Sequence, residues 1–249
     1  MEQVYGLIGA TLKHSFSKKY FSEKFARENL EGYTYALFEL KQINEFPALL
    51  AAQPGLRGLN VTIPYKQAII AFLDNLHPSA KKVGAVNVVK FNADGSKTGF
   101  NSDYFGFKLS LQQWIAAGTL STLKAVILGA GGAAKAVIAA LEDIDVPYIQ
   151  VSRTAAPGIV DYATFRKSQI LSDRHLIIHT TPLGMFPLIE DAPDLDYSQI
   201  SSHHFVYDLV YNPEQSRLME LCALKGARVK NGLEMLHLQA EKAWEIWNA

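Results

Sequence analysis

Residues 126–137 read VILGAGGAAKAV and place Gly129, Gly131 and Ala134 at the spacing G-x-G-x-x-A. The apolar run LKAVILG ends at the first glycine, and the helical pattern AAKAVIAALED follows the last one. In this context one glycine makes the turn, another lets a pyrophosphate approach the backbone, and the small residue lets helix and strand pack closely. The stretch therefore predicts a strand, a turn and a helix whose N-terminus binds nucleotide phosphates, with a plain tight turn as the alternative.

The end of the next predicted strand bears on which nucleotide is bound. An NAD site usually carries an acidic residue there, about 20 residues beyond the loop, for the ribose 2′-hydroxyl. Here YIQVSRT supplies Ser152, Arg153 and Thr154 and no carboxylate. A guanidinium with two hydroxyls suits a 2′-phosphate, which favours NADP. The alternative is that Arg153 is a solvated loop residue.

The rest of the chain alternates between short apolar runs and helical patterns. Before the glycine stretch, strands are predicted at 4–9, 33–40, 56–62 and 85–91. Helices are predicted at 18–29, 43–53 and 104–118. After it, further strands are predicted at 148–152, 175–180 and 205–211, and an amphipathic helix at 232–247. Strands too apolar to keep one face in water indicate mainly parallel sheets covered by helices, which is the α/β class.

One polar segment separates the two sets of elements. It reads AAGTLSTLK, covers residues 116–124 and contains Gly118. The cycle of strand and helix starts again directly after it. Composition alone therefore makes this segment a candidate domain boundary.

The charge balance bears on the class of partner. Lysine and arginine together number 24, as do aspartate and glutamate, so there is no electrostatic reason to expect nucleic acid or an anionic membrane. A small molecule is the expected ligand. The start of the chain lacks the pattern of a signal peptide, and Lys135 and glycines interrupt the longest apolar region. We therefore expect a soluble cytoplasmic protein.

Two further features have simple interpretations. Cys222, the single cysteine, lies in a stretch with helical apolar spacing, which predicts a buried core thiol. His203 and His204 are adjacent, so their side chains diverge, and no further ligand cluster accompanies them. We expect that pair to lie on a solvated surface, and we expect no metal site.

Lys66 closes the stretch NVTIPYK, residues 60–66. Pro64 suits the first position of a helix, and the residues after it continue with helical spacing. Lys66 would then lie in the first helical turn, where the macrodipole disfavours a cation. A local rule broken in this way indicates a functional residue.

Other polar residues interrupt the apolar pattern of the first half. Ser15 and Ser17 lie two apart, so on an extended segment both hydroxyls would point the same way. The alternative is that Ser17 caps the following helix. Asn87 lies inside an apolar strand and is either a structural hydrogen-bonding residue or a ligand contact.

Asp103 follows Asn101 and Ser102 directly before a predicted helix. Ser102 or Asp103 would make a good N-cap, which is the structural interpretation. Asp103 could instead pair with Lys66. A carboxylate favours the ammonium, whereas burial favours the neutral amine, and such opposed influences suit a group that transfers protons.

Taken together, these motifs resemble the shikimate dehydrogenase family over nearly the whole chain. The matching stretches are HSFS (14–17), NVTIPYK (60–66), GAVN (84–87), GFNSD (99–103), GAGGAAKA (129–136), TPLGM (181–185), YDLVYNP (207–213) and GLEMLHLQA (232–240). The resemblance implies two α/β domains, a shikimate-binding domain over 1–103 and 236–249 and a Rossmann-like NADP-binding domain over 104–235. The C-terminal helix would return to the first domain. The implied reaction is reversible NADP-dependent reduction of 3-dehydroshikimate to shikimate, in the chorismate pathway to aromatic amino acids.

The resemblance also implies roles for individual residues. Lys66 and Asp103 would be the catalytic pair. The implied shikimate ligands are Ser15, Ser17, Thr62, Lys66, Asn87, Asp103, Tyr211 and Gln239. The implied NADP-binding residues are Gly129, Ala130, Gly131, Gly132, Ala133, Ser152, Arg153, Thr154, Met185, Val210 and Gly232. A monomer or homodimer is expected.

The chain departs from the family pattern at several positions. Ser152 replaces the usual asparagine of the cofactor segment, and His179 stands where asparagine is common before TTPLGM. Val88, Lys18 and Phe21 are further departures. Two other functions stay open: an enzyme of the same group that accepts quinate or uses NAD, and a nucleotide-binding regulatory module without catalysis.

Overall fold

The computed structural model describes residues 3–13 and 15–249, so His14, the first residue of the HSFS motif, lies outside the described residues. The chain divides into two compact units. The first comprises Met1–Asp103 with Gln239–Ala249, and the second comprises Tyr104–Leu238. Each unit contains one sheet with helices, which confirms the α/β class. The polar segment 116–124 lies inside the second unit rather than at a boundary.

The first unit contains a six-stranded sheet of order β2-β1-β3-β5-β6-β4. Its strands are β1 (Gln3–Gly9), β2 (Tyr33–Glu39), β3 (Leu56–Val61), β4 (Asn75–Leu76), β5 (Val88–Phe91) and β6 (Lys97–Phe100). Its helices are α1 (Phe16–Arg27), α2 (Phe46–Ala52) and α3 (Pro78–Val83). The unit also contains the start of α4 (Ser102–Trp114) and the end of α9 (Leu233–Asn248).

This first sheet is mixed, whereas the sequence pattern predicts mainly parallel pairing. Strand β1 runs parallel to β2 and β3, but β5 runs antiparallel to both β3 and β6. The short link between β5 and β6 turns at Gly95, which has φ of 85° and whose N–H donates to Asn92 O. A link this short can only join antiparallel neighbours, because a parallel pair needs a long crossover.

An aromatic cluster fills one side of the first unit. The rings of Tyr5, Phe21 and Phe25 surround those of Trp244 and Trp247 from the last turns of α9. The Trp247 indole N–H donates to Val89 O over 3.1 Å. The end of the chain is thereby held against this sheet.

We expect Trp247→Ala to destabilise the protein by about 3–5 kcal/mol, the usual cost of deleting a buried tryptophan. Trp247 is 7% exposed, and its removal also leaves the Val89 carbonyl without its donor. Urea unfolding followed by circular dichroism measures the loss. Leu224→Ala, at a side chain that is 81% exposed, is the control and should change stability by less than about 0.5 kcal/mol. Equal stability of the two variants would contradict the prediction.

The second unit contains a fully parallel six-stranded sheet of order β12-β11-β10-β7-β8-β9. Its strands are β7 (Ala125–Leu128), β8 (Tyr148–Ser152), β9 (Ile159–Asp161), β10 (Leu176–His179), β11 (Phe205–Asp208) and β12 (Arg228–Lys230). Its helices are most of α4, α5 (Ala117–Leu120), α6 (Gly132–Glu142), α7 (Tyr162–Arg166), α8 (Arg217–Ala223) and the start of α9.

The central strands β7, β10 and β11 are buried along their whole length, as their apolar sequences predict. The strand order reverses between β7 and β10, since β8 and β9 follow on one side of β7 and β11 and β12 lie beyond β10. Ligands of open parallel sheets bind outside the carboxyl ends of the strands at such a reversal. The fold therefore places a ligand site at the ends of β7, β8 and β10.

Cys222 is fully buried in the core of the second unit, as predicted, and burial raises the pKa of its thiol to about 12. The expectation of a solvated histidine pair is wrong for His204, which is buried. Its Nδ1 accepts from Ser201 N–H and its Nε2 donates to Leu171 O, and burial lowers its pKa. Among residues 3–13 and 15–249, no group of three or more His, Cys, Asp or Glu could hold a metal ion.

Candidate active site

Lys66 and Asp103 form an ion pair in the first unit. Lys66 Nζ lies 2.6 Å from Asp103 Oδ2, although the two residues are 37 positions apart in the sequence. Their side chains are 28% and 14% exposed, so the pair is shielded from bulk water and still open to a small molecule. A lysine and a carboxylate at this distance can share a proton and can both hydrogen-bond a substrate oxygen.

The backbone around Lys66 differs from the predicted helix start. Residues 63–67 form turns, and a short 3-10 helix, Ala68–Phe72, follows them. The N–H of Tyr65 donates to Thr62 O over 2.9 Å, which closes a tight turn around the cis Ile63–Pro64 bond. Pro64 therefore lies in a turn rather than at the first position of a helix, and the macrodipole is not what sets the environment of Lys66.

Asn87 anchors the start of α4. Its Oδ1 accepts from Ser102 N–H over 2.6 Å, and its Nδ2 donates to Ser102 Oγ and to Gln239 Oε1. These contacts favour the structural interpretation of Asn87, although one acceptor position on Oδ1 is left for a ligand. Because α4 begins at Ser102, neither Ser102 nor Asp103 is its N-cap, and the capping prediction is wrong. The Asp103 carboxylate is thus free to pair with Lys66.

The two serines of the HSFS motif do not lie on an extended segment. Ser15 is the N-cap of α1, its Oγ accepting from Lys18 N–H over 3.2 Å, so the alternative interpretation, in which Ser17 caps this helix, is also wrong. Ser17 lies in the first turn, and its side chain interacts with the Tyr35 hydroxyl and opposes the rise in the pKa of that hydroxyl. Burial raises the pKa of Tyr35.

The remaining substrate candidates lie in different places. Thr62 is half-buried at the end of β3 and donates its N–H to Ile8 O over 2.9 Å. Gln239 contacts Asn87 in the first unit. Tyr211 belongs to the second unit, where burial raises the pKa of its hydroxyl. The structure thus pairs Lys66 with Asp103 and Asn87 with Gln239, and the two pairs are linked through the start of α4.

Sequence reasoning missed two residues of this polar network. The Tyr35 hydroxyl donates to Asn60 Oδ1 over 2.7 Å, and Asn60 Nδ2 donates to Asn87 O over 3.3 Å. Asn60 opens the NVTIPYK motif, so a polar residue at the end of an apolar strand was the available signal. Tyr35 is a strand residue in an apolar context and gave no such signal.

The second unit has a cleft of about 470 Å³ at the carboxyl ends of β7, β8 and β10. The lining residues are Gly129, Ala130, Gly131, Ser152, Arg153, Tyr162, Thr180, Thr181, Pro182 and Leu183. This position is the one that the strand order indicates for a ligand. Thr180, Thr181 and Tyr162 were not predicted as site residues, although two threonines directly after an apolar strand were a usable signal.

The glycines of the loop, Gly129, Gly131 and Gly132, are present for different physical reasons. Gly129 has φ of 121°, and a Cβ there would lie 2.4 Å from Thr180 Oγ1, so the turn itself requires glycine. A Cβ on Gly131 or Gly132 would meet no described atom within 4 Å, and neither residue has a positive φ. Neither backbone conformation nor packing demands glycine at those two positions. What glycine provides there is open access to backbone N–H groups at the start of α6.

Arg153 is exposed and Ser152 half-buried at the edge of this cleft. The described residues that line the cleft include no carboxylate, which suits an anionic ligand. Thr154 is exposed and, like Gly132 and Ala133, is not part of the lining.

Three further predicted cofactor residues, Met185, Val210 and Gly232, also lie outside the cleft lining. Met185 is 38% exposed, and Val210 is buried with its N–H donating to Asp208 Oδ1 over 2.9 Å. Gly232 lies so close to Leu209 that a Cβ would approach the Leu209 carbonyl oxygen to 2.2 Å. Close packing therefore explains the glycine at 232.

The family model for the shikimate dehydrogenase substrate binding domain matches residues 7–89, which carry Lys66 and Asn87. A shikimate dehydrogenase (NADP(+)) of Clostridium beijerinckii is 36% identical, with 98% of this chain and 92% of the relative aligned. The chain belongs to the shikimate dehydrogenase family. The resemblance drawn from the sequence motifs is thereby confirmed.

Solved structures of the shikimate dehydrogenase family share the fold over almost the full chain. A shikimate 5-dehydrogenase of Listeria monocytogenes, in complex with shikimate and NAD, has a TM-score of 0.87 at 30% identity, covering 99% of this chain and 92% of that one. A shikimate dehydrogenase in complex with NADP+ has a TM-score of 0.86 at 29% identity, covering 99% and 90%. In residues 3–13 and 15–249 of the present chain, no helix is long and apolar enough to cross a bilayer.

Proposed function

We propose that this protein is an NADP-dependent oxidoreductase that reversibly reduces 3-dehydroshikimate to shikimate. The observation that carries the proposal is the half-shielded pair of Lys66 and Asp103, 2.6 Å apart, in the unit that the family's substrate-binding model matches. The first unit would bind shikimate, and the second would bind NADP. The full-length similarity to shikimate dehydrogenases supports this assignment.

The cleft of the second unit fits NADP. The open backbone at Gly131 and Gly132 can receive a pyrophosphate at the start of α6, and Ser152 and Arg153 can hold a 2′-phosphate. When bound, NADP supplies the hydride chemistry of the reaction. The chain's own residues provide the binding groups, the orientation and the handling of the proton.

Lys66 is the residue that transfers the proton in the proposed reaction. The substrate oxygen that changes between carbonyl and hydroxyl must gain or lose a proton, and Lys66 Nζ is the group proposed to give and take it. Asp103 accepts a hydrogen bond from Lys66 and would also hold the substrate hydroxyl. We place Ser15, Ser17, Thr62, Asn87, Gln239 and Tyr211 as the further shikimate contacts, their hydroxyls and amides matching a polyhydroxylated carboxylic acid.

The direct test mixes the purified protein with shikimate and NADP+ and follows absorbance of the reduced cofactor. We expect turnover with this pair to exceed turnover with quinate or with NAD+. Preference for quinate or NAD+ would assign the chain to another activity of the same group. Absence of turnover with all four combinations would refute catalysis and favour a nucleotide-binding regulatory role.

Arg153→Ala should lower kcat/KM for NADP+ by about 10- to 100-fold, because a charged hydrogen bond to the 2′-phosphate contributes about 1.5–3 kcal/mol. The value for NAD+, which lacks that phosphate, should be unchanged. Initial rates with both cofactors measure the split. Arg166→Ala is the control, since Arg166 is an exposed arginine of the same unit that pairs with Asp194. Equal losses with NADP+ and NAD+ would contradict the role of Arg153.

Cytoplasmic location and a monomeric or homodimeric state are also part of this proposal. Light scattering on the purified protein and fractionation of cells test these two points.

A further inference from the structure

A buried hydrogen-bond network lies beneath the cofactor cleft of the second unit. His179 and Asp208, at the ends of β10 and β11, are both fully buried, and His179 Nδ1 lies 2.9 Å from Asp208 Oδ1. Asp208 also accepts from Val210 N–H over 2.9 Å and from Ser216 Oγ over 2.5 Å. His179 Nε2 lies 2.5 Å from Thr181 Oγ1, and Thr181 lines the cleft.

The partners of Asp208 assign the proton of the imidazole. Both Asp208 oxygens accept hydrogen bonds, Oδ1 from Val210 N–H and Oδ2 from the Ser216 hydroxyl, so Asp208 faces His179 as an acceptor and His179 Nδ1 carries the hydrogen between them. In the neutral ring Nε2 then has a free lone pair. In that form of the ring the Thr181 hydroxyl donates its single hydrogen to His179 Nε2.

This assignment determines which hydrogen bonds the Thr181 hydroxyl can make with a ligand. With its hydrogen directed at His179, the Thr181 oxygen has only lone pairs left, and one of them faces Leu183 N–H at 3.4 Å. Toward the cleft the hydroxyl is an acceptor. It suits an O–H or N–H donor and does not suit a phosphate oxygen, which also accepts.

The strand order indicates which half of the cofactor supplies that donor. Ser152 and Arg153 follow β8, on one side of β7, whereas Thr181 follows β10, on the other side. The proposed NADP site places the 2′-phosphate of the adenosine half at Ser152 and Arg153 and the pyrophosphate at the glycine loop after β7. The nicotinamide half then lies beyond β7, next to the carboxyl end of β10. That half carries ribose hydroxyls and a carboxamide N–H₂ as donors.

We propose that His179, held by Asp208, orients the Thr181 hydroxyl as a hydrogen-bond acceptor for an O–H or N–H donor on the nicotinamide half of NADP. Thr181 is then a cofactor-binding residue, and His179 is a positioning residue that acts through it. This inference rests on the proposed NADP site in the same cleft.

Calorimetric binding of NADP+ and of 2′,5′-ADP, which lacks the nicotinamide half, tests Thr181. Thr181→Val should weaken NADP+ by about 10-fold, since it leaves a ligand donor unpaired, and should change 2′,5′-ADP by less than about 2-fold. Thr181→Ser keeps the hydroxyl and should restore most of the affinity. Equal weakening of both ligands, or no weakening of NADP+, would overturn the role of Thr181.

His179→Asn tests the positioning role. The asparagine amide can replace Nδ1–H as the donor to Asp208, but it does not reach Thr181 as Nε2 does. We expect a several-fold weaker affinity for NADP+ and an unchanged affinity for 2′,5′-ADP. Adding Thr181→Val should cause no further loss, because both substitutions remove the same hydrogen bond to the ligand. Additive losses in the double variant would overturn the coupling.

Nitrogen-15 NMR of the wild-type imidazole is independent of any variant and of activity. We expect hydrogen on Nδ1 of His179 and none on Nε2, and the reverse tautomer would overturn the inference.

Binding of the wild type separates this inference from the proposed function. If the wild type binds neither NADP+ nor 2′,5′-ADP, the NADP site itself is refuted, and the inference with it. Binding of both ligands with Thr181→Val unaffected would refute the inference alone.

Discussion

Lys66→Ala lowers kcat by about 1,000-fold and leaves KM for shikimate within about 3-fold, because general acid–base catalysis contributes about 10²–10⁴-fold. The loss falls on kcat because the lysine's main contribution is to move a proton in the transition state. Asp103 and the other polar groups of the first unit are still present in the variant and continue to bind the substrate. Steady-state kinetics with saturating NADP+ measure both constants.

A matched control for Lys66 exists in the same unit. Lys97 pairs with Asp74 over 2.7 Å, so Lys97→Ala also breaks a lysine–aspartate pair. That pair belongs to the turn before β4 and the start of β6 and is not among the substrate candidates. Lys97→Ala should leave kcat unchanged. A loss of less than 10-fold in Lys66→Ala, with the fold intact by circular dichroism, would remove Lys66 from the proposed proton transfer.

Gly132→Asp raises the Kd for NADP+ by about 100-fold, which corresponds to about 2.7 kcal/mol of repulsion and lost access. Gly132 is the first residue of α6, so the new carboxylate would stand where the pyrophosphate is expected. The same carboxylate should stabilise the unliganded protein by about 0.3–1 kcal/mol, since α6 has no acidic residue in its first turn and an anion there is favourable. Stability and affinity therefore move in opposite directions.

Calorimetry and thermal unfolding measure these two effects of Gly132→Asp. Gly118→Asp is the matched control, because Gly118 also lies in the first turn of a helix, α5, and its Cβ would meet no described atom within 4 Å. The control should leave the Kd for NADP+ unchanged. An unchanged Kd in Gly132→Asp would show that phosphates do not bind at the start of α6.

The sequence predicts the second unit more completely than the first. In the second unit the apolar runs, the glycine loop and the following helix depend on neighbours within a few residues, and such local patterns can be read directly. In the first unit the link at Gly95 reverses the chain, and Pro64 suits either a helix start or a tight turn. The local signal at Pro64 has two solutions, and the contacts of Tyr65 decide between them.

The candidate site shows the same division. The residue types at Lys66 and Asp103 indicate proton transfer, but their 2.6 Å contact joins positions that only the folded sheet brings together. The serines were predicted as a pair on an extended segment, whereas Ser15 caps α1. His179 has no interpretable pattern in the sequence, because its partner Asp208 comes from another strand.

By itself, then, the sequence determined the α/β class, the nucleotide-binding loop, the family and the residue types of the site. These depend on periodicity, on glycine and proline conformations and on motif spacing, all of which are short-range properties. Only the tertiary structure decided the partner of each polar group: Asp103 for Lys66, Ser102 and Gln239 for Asn87, and Asp208 and Thr181 for His179. The physical reason is that a buried polar group must find a partner, and which partner is within 3 Å depends on the elements that meet after folding.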